Sequence, residues 1–226
     1  LSRMIDFIKS VGAVAVGIQL GHAGRKGSTV EPWEGGGMIE GNGAWHPQAP
    51  SAVPYLPGWP APDPMSNDNL CRVKQAFVDA TRHAHRAGFD TIQVHVAHGY
   101  LLHQFLSPIT NKRSDQYGGD LQSRMRYPLD IFQAVRVAFP GENPVIVRLS
   151  ATDWIDGGWD IGQSIEFCRA LKDLGCDMVD VSSGGLDQAQ QIITGPGYQT
   201  DLSQRIRSES GIATMTGGQI TDPIQA

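Results

Sequence analysis

The chain has 226 residues, 40% of them hydrophobic and 18% charged, with a formal net charge of −5. That balance fits a globular domain with a sizeable core and offers no basic surface for nucleic acid. No apolar run approaches the roughly 18 residues of a membrane span, and Cys71, Cys168 and Cys176 show no CxxC spacing, so they are read as reduced helix-packing residues of a cytoplasmic protein rather than metal or disulfide partners.

In chain order, Leu1 to Ser10 has the pattern of an amphipathic helix, and Ala13–Leu20 that of a strand. Residues 27–68 form a long excursion with 8 of the 14 prolines and 3 of the 5 tryptophans. Proline alone would suggest a disordered linker, but Trp33, Trp45 and Trp59 are foreign to such segments, so the excursion is expected to pack over the site as a substrate-shaping loop. A helix follows from about Asn69 to Ala87, with Leu70, Val73, Phe77 and Ala84 on one face, and then a strand, Thr91–Val94. The next helix, about Leu121 to Ala138, should kink at Pro128. Strand Val145–Leu149, helix Ile161–Leu174 (Ile165, Cys168 and Leu171 inward), strand Met178–Val181, a short helix near Leu202–Glu209 and strand Ile212–Met215 complete the series. Thr221-Asp222-Pro223 reads as a helix start. All five strand runs look covered on both faces.

Repeated βα order predicts a parallel sheet. Each strand ends in residues of chemical interest: Gln19, His95, Arg148, Ser182-Ser183-Gly184-Gly185 and Gly217-Gly218. Function spread over many carboxyl ends favours a closed barrel, whereas a doubly wound sheet would concentrate glycines after its first strand, and no GxGxxG occurs. The expected fold is therefore a single α/β domain over 1–226, a TIM (β/α)8 barrel lacking three of its eight strands.

His95, His98 and Tyr100 combine two donors able to hold a developing oxyanion with a hydroxyl able to deliver a proton. A metal reading of the two histidines needs a third ligand; His103 is at hand, but on an apolar run that looks packed. A purely structural role for both is the bland alternative, weakened by the nearby phenol. Arg148, emerging from an apolar strand, needs an anion: a carboxylate such as Asp153, or a cofactor. With Gln19 it could hold the pyrimidine edge of a flavin and stabilise its reduced charge. Gly217-Gly218 stands where barrels bind phosphate; Ser182–Gly185 reads equally as a tight turn or a ligand contact.

Together, Ile18-Gln19-Leu20-Gly21-His22-Ala23-Gly24-Arg25-Lys26, the stretch Ala87–Gly119, Arg148–Asp153, Ser182–Leu186 and Thr216–Ile220 resemble strands three to seven of the old yellow enzyme family. The tryptophan-bearing excursion and Trp154-Ile155-Asp156-Gly157-Gly158-Trp159 are most similar to its bacterial xenobiotic-reductase branch. The resemblance implies an FMN-dependent ene-reductase: NADPH or NADH reduces the flavin, flavin N5 gives hydride to the β-carbon of an activated alkene, His95 and His98 bind the carbonyl or nitro oxygen, and Tyr100 protonates the α-carbon. It places Gln19 and Arg148 on the flavin ring and Gly217 and Gly218 at its phosphate. Phenols are expected ligands, nucleic acid and membranes are not, no resident metal is implied, and a homodimer or tetramer of the full-length enzyme is compatible. The family's first two strands and its eighth have no counterpart, so the chain is expected to be an internal segment of a longer enzyme. Asp120 and Gln122-Ser123-Arg124 depart from the family signature at a helix start, where only local effects are expected. Other readings are a related flavin barrel (dienoyl-thioester reductase or amine dehydrogenase), a metal-dependent hydrolase using His95 and His98, and a non-catalytic fragment.

Overall fold

The computed structural model describes residues 1–225, with Pro32 as backbone alone. Helix α1 (Ser2–Val11) leads into β1 (Gly17–Leu20). Short strands β2 (Gln48–Ala49) and β3 (Asp63–Pro64) pair within the excursion. There follow α2 (Asn67–Ala87), β4 (Thr91–Val96), α3 (Leu101–Leu106), α4 (Leu121–Ala138), β5 (Val145–Ser150), α5 (Ile161–Asp173), β6 (Met178–Ser182), α6 (Thr200–Ser210) and β7 (Thr214–Thr216).

The main sheet is parallel throughout, in the order β1-β4-β5-β6-β7. The order never reverses, so right-handed crossovers carry α2, α4, α5 and α6 to one face, where successive helices touch. A doubly wound sheet would reverse and carry helices on both faces; the open face here is the inside of a partial barrel. Outward residues Ile92, Val94, Val96, Val145, Val147, Leu149, Val179 and Val181 are fully buried and pack with Phe105, Phe132, Phe167 and Trp159.

Local chemistry sets the helix ends. Ser66, Asp120 and Asp160 cap α2, α4 and α5 by accepting from the backbone N–H three residues on. Gly88 and Gly211 close α2 and α6 in the left-handed region, with φ of 92° and 70°. Asp120, the departure from the family signature, thus serves as an N-cap. Arg124 is buried, donating to the carbonyls of Leu106 and Gly119.

Several expectations need correction. Not every strand is covered on both faces: in β1, Gly17 and Gln19 are exposed, because β1 pairs on one side alone and its inner face is open. Thr221–Pro223 leads into a turn in which the Asp222 carboxylate accepts from the Ile224 N–H, the contact an N-cap makes two residues on. Trp33 and Trp45 are 82% and 58% exposed, so the excursion is anchored by other means. Of the cysteines, Cys168 is buried in α5, while Cys176 lies just before β6, its thiol pushed up to about 12 by burial, and Cys71 is exposed on α2. Helix α3 was not foreseen; all six of its residues are buried.

The carboxylate partner of Arg148 is Asp180 on β6, not Asp153 (Nε to Oδ2, 3.3 Å). Asp153 instead meets His103 Nε2 at 2.8 Å, both side chains being fully buried, and accepts from Ser107 Oγ (2.6 Å) and the Trp159 N–H (2.7 Å). Burial alone would raise this carboxyl; the bond from His103, with Ser107 and Trp159 behind it, holds it below its usual value instead. That stability is present above the unfolded carboxyl pKa near 4 and is lost as pH falls through the lower folded value. Asp153→Ala strands three buried donors, so urea denaturation should show about 3–5 kcal/mol less stability at pH 7; a loss under 1 kcal/mol would contradict this network.

Candidate active site at the carboxyl ends of the strands

His95 ends the inward row of β4, beside Arg148 on β5 in the register, and Arg148 in turn lies beside Asp180 on β6. Its ring is 5% exposed, and neither nitrogen has a hydrogen-bond partner among the described residues. Each such orphan costs about 1–3 kcal/mol, and a ligand oxygen accepting from the ring N–H would offset one of them. His98 follows on a loop with φ of 55°, in the left-handed region. Its backbone N–H donates to Ser150 Oγ (3.0 Å), which donates to the Gly184 carbonyl, and its Nε2 lies 2.7 Å from Ser182 Oγ. The end of β5 thus holds the His98 backbone and the end of β6 its ring, leaving Nδ1 for a ligand. Gly99 and Gly185 allow this approach: a Cβ on Gly99 would sit 2.3 Å from the Gly185 carbonyl oxygen.

The His95 ring centroid lies 5.2 Å from that of His98 and 5.2 Å from that of Tyr100, so the sequence trio does converge. Tyr100 is 37% exposed, as a group meeting a ligand should be. His103 does not join them. It is fully buried, with Nε2 2.8 Å from Asp153 and Nδ1 accepting from the Gly99 N–H, so His103 does not serve as the third ligand of the metal reading.

Burial, reinforced by the Arg148, His103 and Lys26 charges, lowers His95 to about 4. Burial, then His95 and Arg148, lowers His98 to about 3. Both rings are therefore neutral from pH 5 to 8 and donate as neutral imidazoles. Because the unfolded rings titrate near 6.5, the unfolded chain binds more protons as pH falls below that value, and native stability declines toward pH 4. Denaturation midpoints should drop steadily from pH 7.5 to 5, and by less in His95→Gln; a flat profile would contradict neutral imidazoles.

Deeper on the inner face, Gln19 Nε2 donates to Gln93 Oε1 and Gln93 Nε2 to Asp180 Oδ2 (3.1 Å). This leaves the Gln19 carbonyl oxygen without a hydrogen bond among the described residues, and likewise the terminal nitrogens of Arg148. An uncommitted acceptor and an uncommitted cationic donor on one face suit the pyrimidine edge of a flavin. Gly218 has φ of 111°, and a Cβ there would meet Tyr198 and Gln199 at 2.9 and 3.0 Å, so backbone alone fits; Gly217 is exposed, with open space where a Cβ would stand. Ser182–Gly185 is both a tight turn and a site element: Gly184 and Gly185 have positive φ, while Ser182 reaches His98.

Lys26, Tyr55 and Ser150 were given no role from the sequence. The first two are brought to Tyr100 from β1's loop and the excursion: Lys26 Nζ lies 5.5 Å from the Tyr100 ring centroid and 4.7 Å from that of Tyr55. Only the quoted Gly24-Arg25-Lys26 run hinted at this.

Parallel strands in unbroken order, with polar groups gathered at their carboxyl ends, define a βα barrel of enzyme type. The model of the NADH:flavin oxidoreductase / NADH oxidase family matches residues 1–226. An NADPH dehydrogenase of Listeria monocytogenes is 42% identical over 226 residues, covering 100% of this chain and 62% of that protein. Among solved structures, the old yellow enzyme homologue from Zymomonas mobilis superposes with a TM-score of 0.70 at 26% identity, over 97% of this chain and 60% of that one. Histamine dehydrogenase from Rhizobium sp. 4-9 gives 0.80 at 27% identity, over 99% and 32%. The chain belongs to the NADH:flavin oxidoreductase / NADH oxidase family, that of the old yellow enzymes. It spans 55% to 62% of the length of the curated relatives it matches. No helix of the described residues is long and apolar enough to cross a membrane.

Proposed function

We propose that the protein works as an FMN-dependent ene-reductase, using NADPH or NADH to reduce the C=C bond of α,β-unsaturated carbonyl or nitro compounds in the cytoplasm. The observation that carries this reading is the buried His95 ring with two unpartnered nitrogens, set between Arg148 and the partly exposed Tyr100. Bound FMN would supply the hydride carrier, taking hydride from the nicotinamide and passing it through N5 to the alkene β-carbon. His95 and the free Nδ1 of His98 hold the substrate oxygen and draw charge onto it. Tyr100 gives its phenolic proton to the α-carbon, so hydride and proton together complete the saturated product, and solvent returns the proton to the phenolate. Gln19 and Arg148 seat the pyrimidine edge, where the guanidinium offsets charge on the reduced ring despite its partner Asp180. Gly217, open where a Cβ would stand, leaves room for a phosphate beside the backbone, with Gly218 next to it. The excursion over 27–68 shapes the substrate space as part of the single domain.

Against the amine-dehydrogenase reading, histamine dehydrogenase is 27% identical and an NADPH dehydrogenase 42%, which favours a nicotinamide-dependent reductase over an amine oxidiser. The hydrolase reading loses its third ligand to Asp153. The test is anaerobic: NADPH should bleach the flavin of the FMN-loaded protein, and cyclohexenone should restore its colour. A bleached flavin that neither an enone nor a nitroalkene reoxidises would contradict the proposal.

A further inference from the structure

The turn Gly24–Lys26 joins three loops around the site. Arg25 is 3% exposed; it donates to the carbonyls of Pro54 in the excursion (2.9 Å) and Leu186 after β6 (2.8 Å), with the Asp187 carboxylate 3.7 Å away. The half-buried Lys26 ammonium donates to the carbonyls of His98 (2.8 Å) and Gly185, and is flanked by the rings of Tyr55 and Tyr100 at 4.7 and 5.5 Å. Tyr55 packs edge-on against Trp59 at 5.6 Å, and the neighbouring Pro54, Pro57 and Gly58 are exposed. A partly desolvated ammonium between two aromatic faces is a strong attraction.

Building on the ene-reductase reading, we infer that Lys26 is a positioning residue that clamps Tyr55 of the excursion against Tyr100, making Tyr55 the outer wall of the substrate site. The clamp joins the excursion to Tyr100 and, through the His98 carbonyl, to the loop that carries the histidines, so its strength governs how tightly a small enone is enclosed. It also depends on charge. Burial, with Arg25 beside it, brings Lys26 down to about 8. The groups facing it are Arg25 on its own turn, Tyr55 from the excursion, His95, His98 and Tyr100 from the β4 loop, Arg148 on β5, and, beyond Arg25, Asp187 after β6. Above pH 8 the amine becomes neutral, the attraction to both rings weakens, and the wall opens.

The FMN-loaded protein is assayed with cyclohexenone, and the unloaded protein by thermolysin cleavage within residues 50–62. Lys26→Met and Tyr55→Ala should each raise KM about tenfold, and the double variant should be no worse than either, because both break one contact. Lys26→Arg keeps the cation and should stay within about threefold while abolishing the wild-type rise in KM between pH 8 and 9. Thermolysin should cut Lys26→Met faster than wild type or Lys26→Arg. Additive KM effects, or cleavage that ignores Lys26, would overturn the clamp. A protein that reduces no enone yet shows Lys26-dependent cleavage would overturn the ene-reductase reading and support the clamp.

Discussion

Replacing Tyr100 by Phe should leave reduction of the flavin by NADPH at its wild-type rate and slow reoxidation by cyclohexenone about 10²-fold or more, the usual consequence of losing a general acid. The substitution is clean because Phe retains the ring that stands 5.2 Å from His95 and faces Lys26, and removes only the O–H. Tyr100 is the most exposed member of the trio, which lets its hydroxyl meet both substrate and solvent. Stopped-flow traces of the two half-reactions separate the effects. Equal slowing of both would show that the hydroxyl supports the fold or nicotinamide binding rather than proton delivery.

The double change His95→Ala and His98→Ala should weaken binding of p-hydroxybenzaldehyde about 10²-fold, since hydrogen bonds to a phenolate oxygen contribute about 1.5–3 kcal/mol each. The two histidines should not contribute equally. His95 has both nitrogens unpartnered, whereas Ser182 holds Nε2 of His98, so His95→Ala alone should carry the larger share. Ser182→Ala should then resemble a partial loss of His98. Flavin content measures whether the fold has survived, and unchanged phenol affinity in a flavin-loaded double variant would contradict the assignment.

Much of this architecture was legible because its signals are local. The five apolar runs became the five strands of the main sheet, α4 took the expected bounds Leu121–Ala138, and strand-end polarity separated barrel from open sheet. Helix α3 was hidden because Leu101–Leu106 is short and buried on every side, which erases the 3.6-residue contrast. The pairing of Gln48–Ala49 with Asp63–Pro64 is too short to leave a pattern. The Arg148 partner was misread because proximity along the chain favoured Asp153, whereas register across the sheet delivers Asp180. His95, His98 and Tyr100 were visible since one loop carries them all. Lys26 and Tyr55 were not, because their meeting with Tyr100 depends on how separate loops fold over the mouth.

The most direct test of the central claim is the visible spectrum of the FMN-reconstituted protein during titration with p-hydroxybenzaldehyde. A flavin band near 450 nm (roughly, for any oxidised flavoprotein) that gains a long-wavelength charge-transfer band on titration places a phenolate over the flavin, beside His95 and His98, as the account predicts. A folded protein that takes up FMN but shows no spectral response to the phenol would contradict that arrangement.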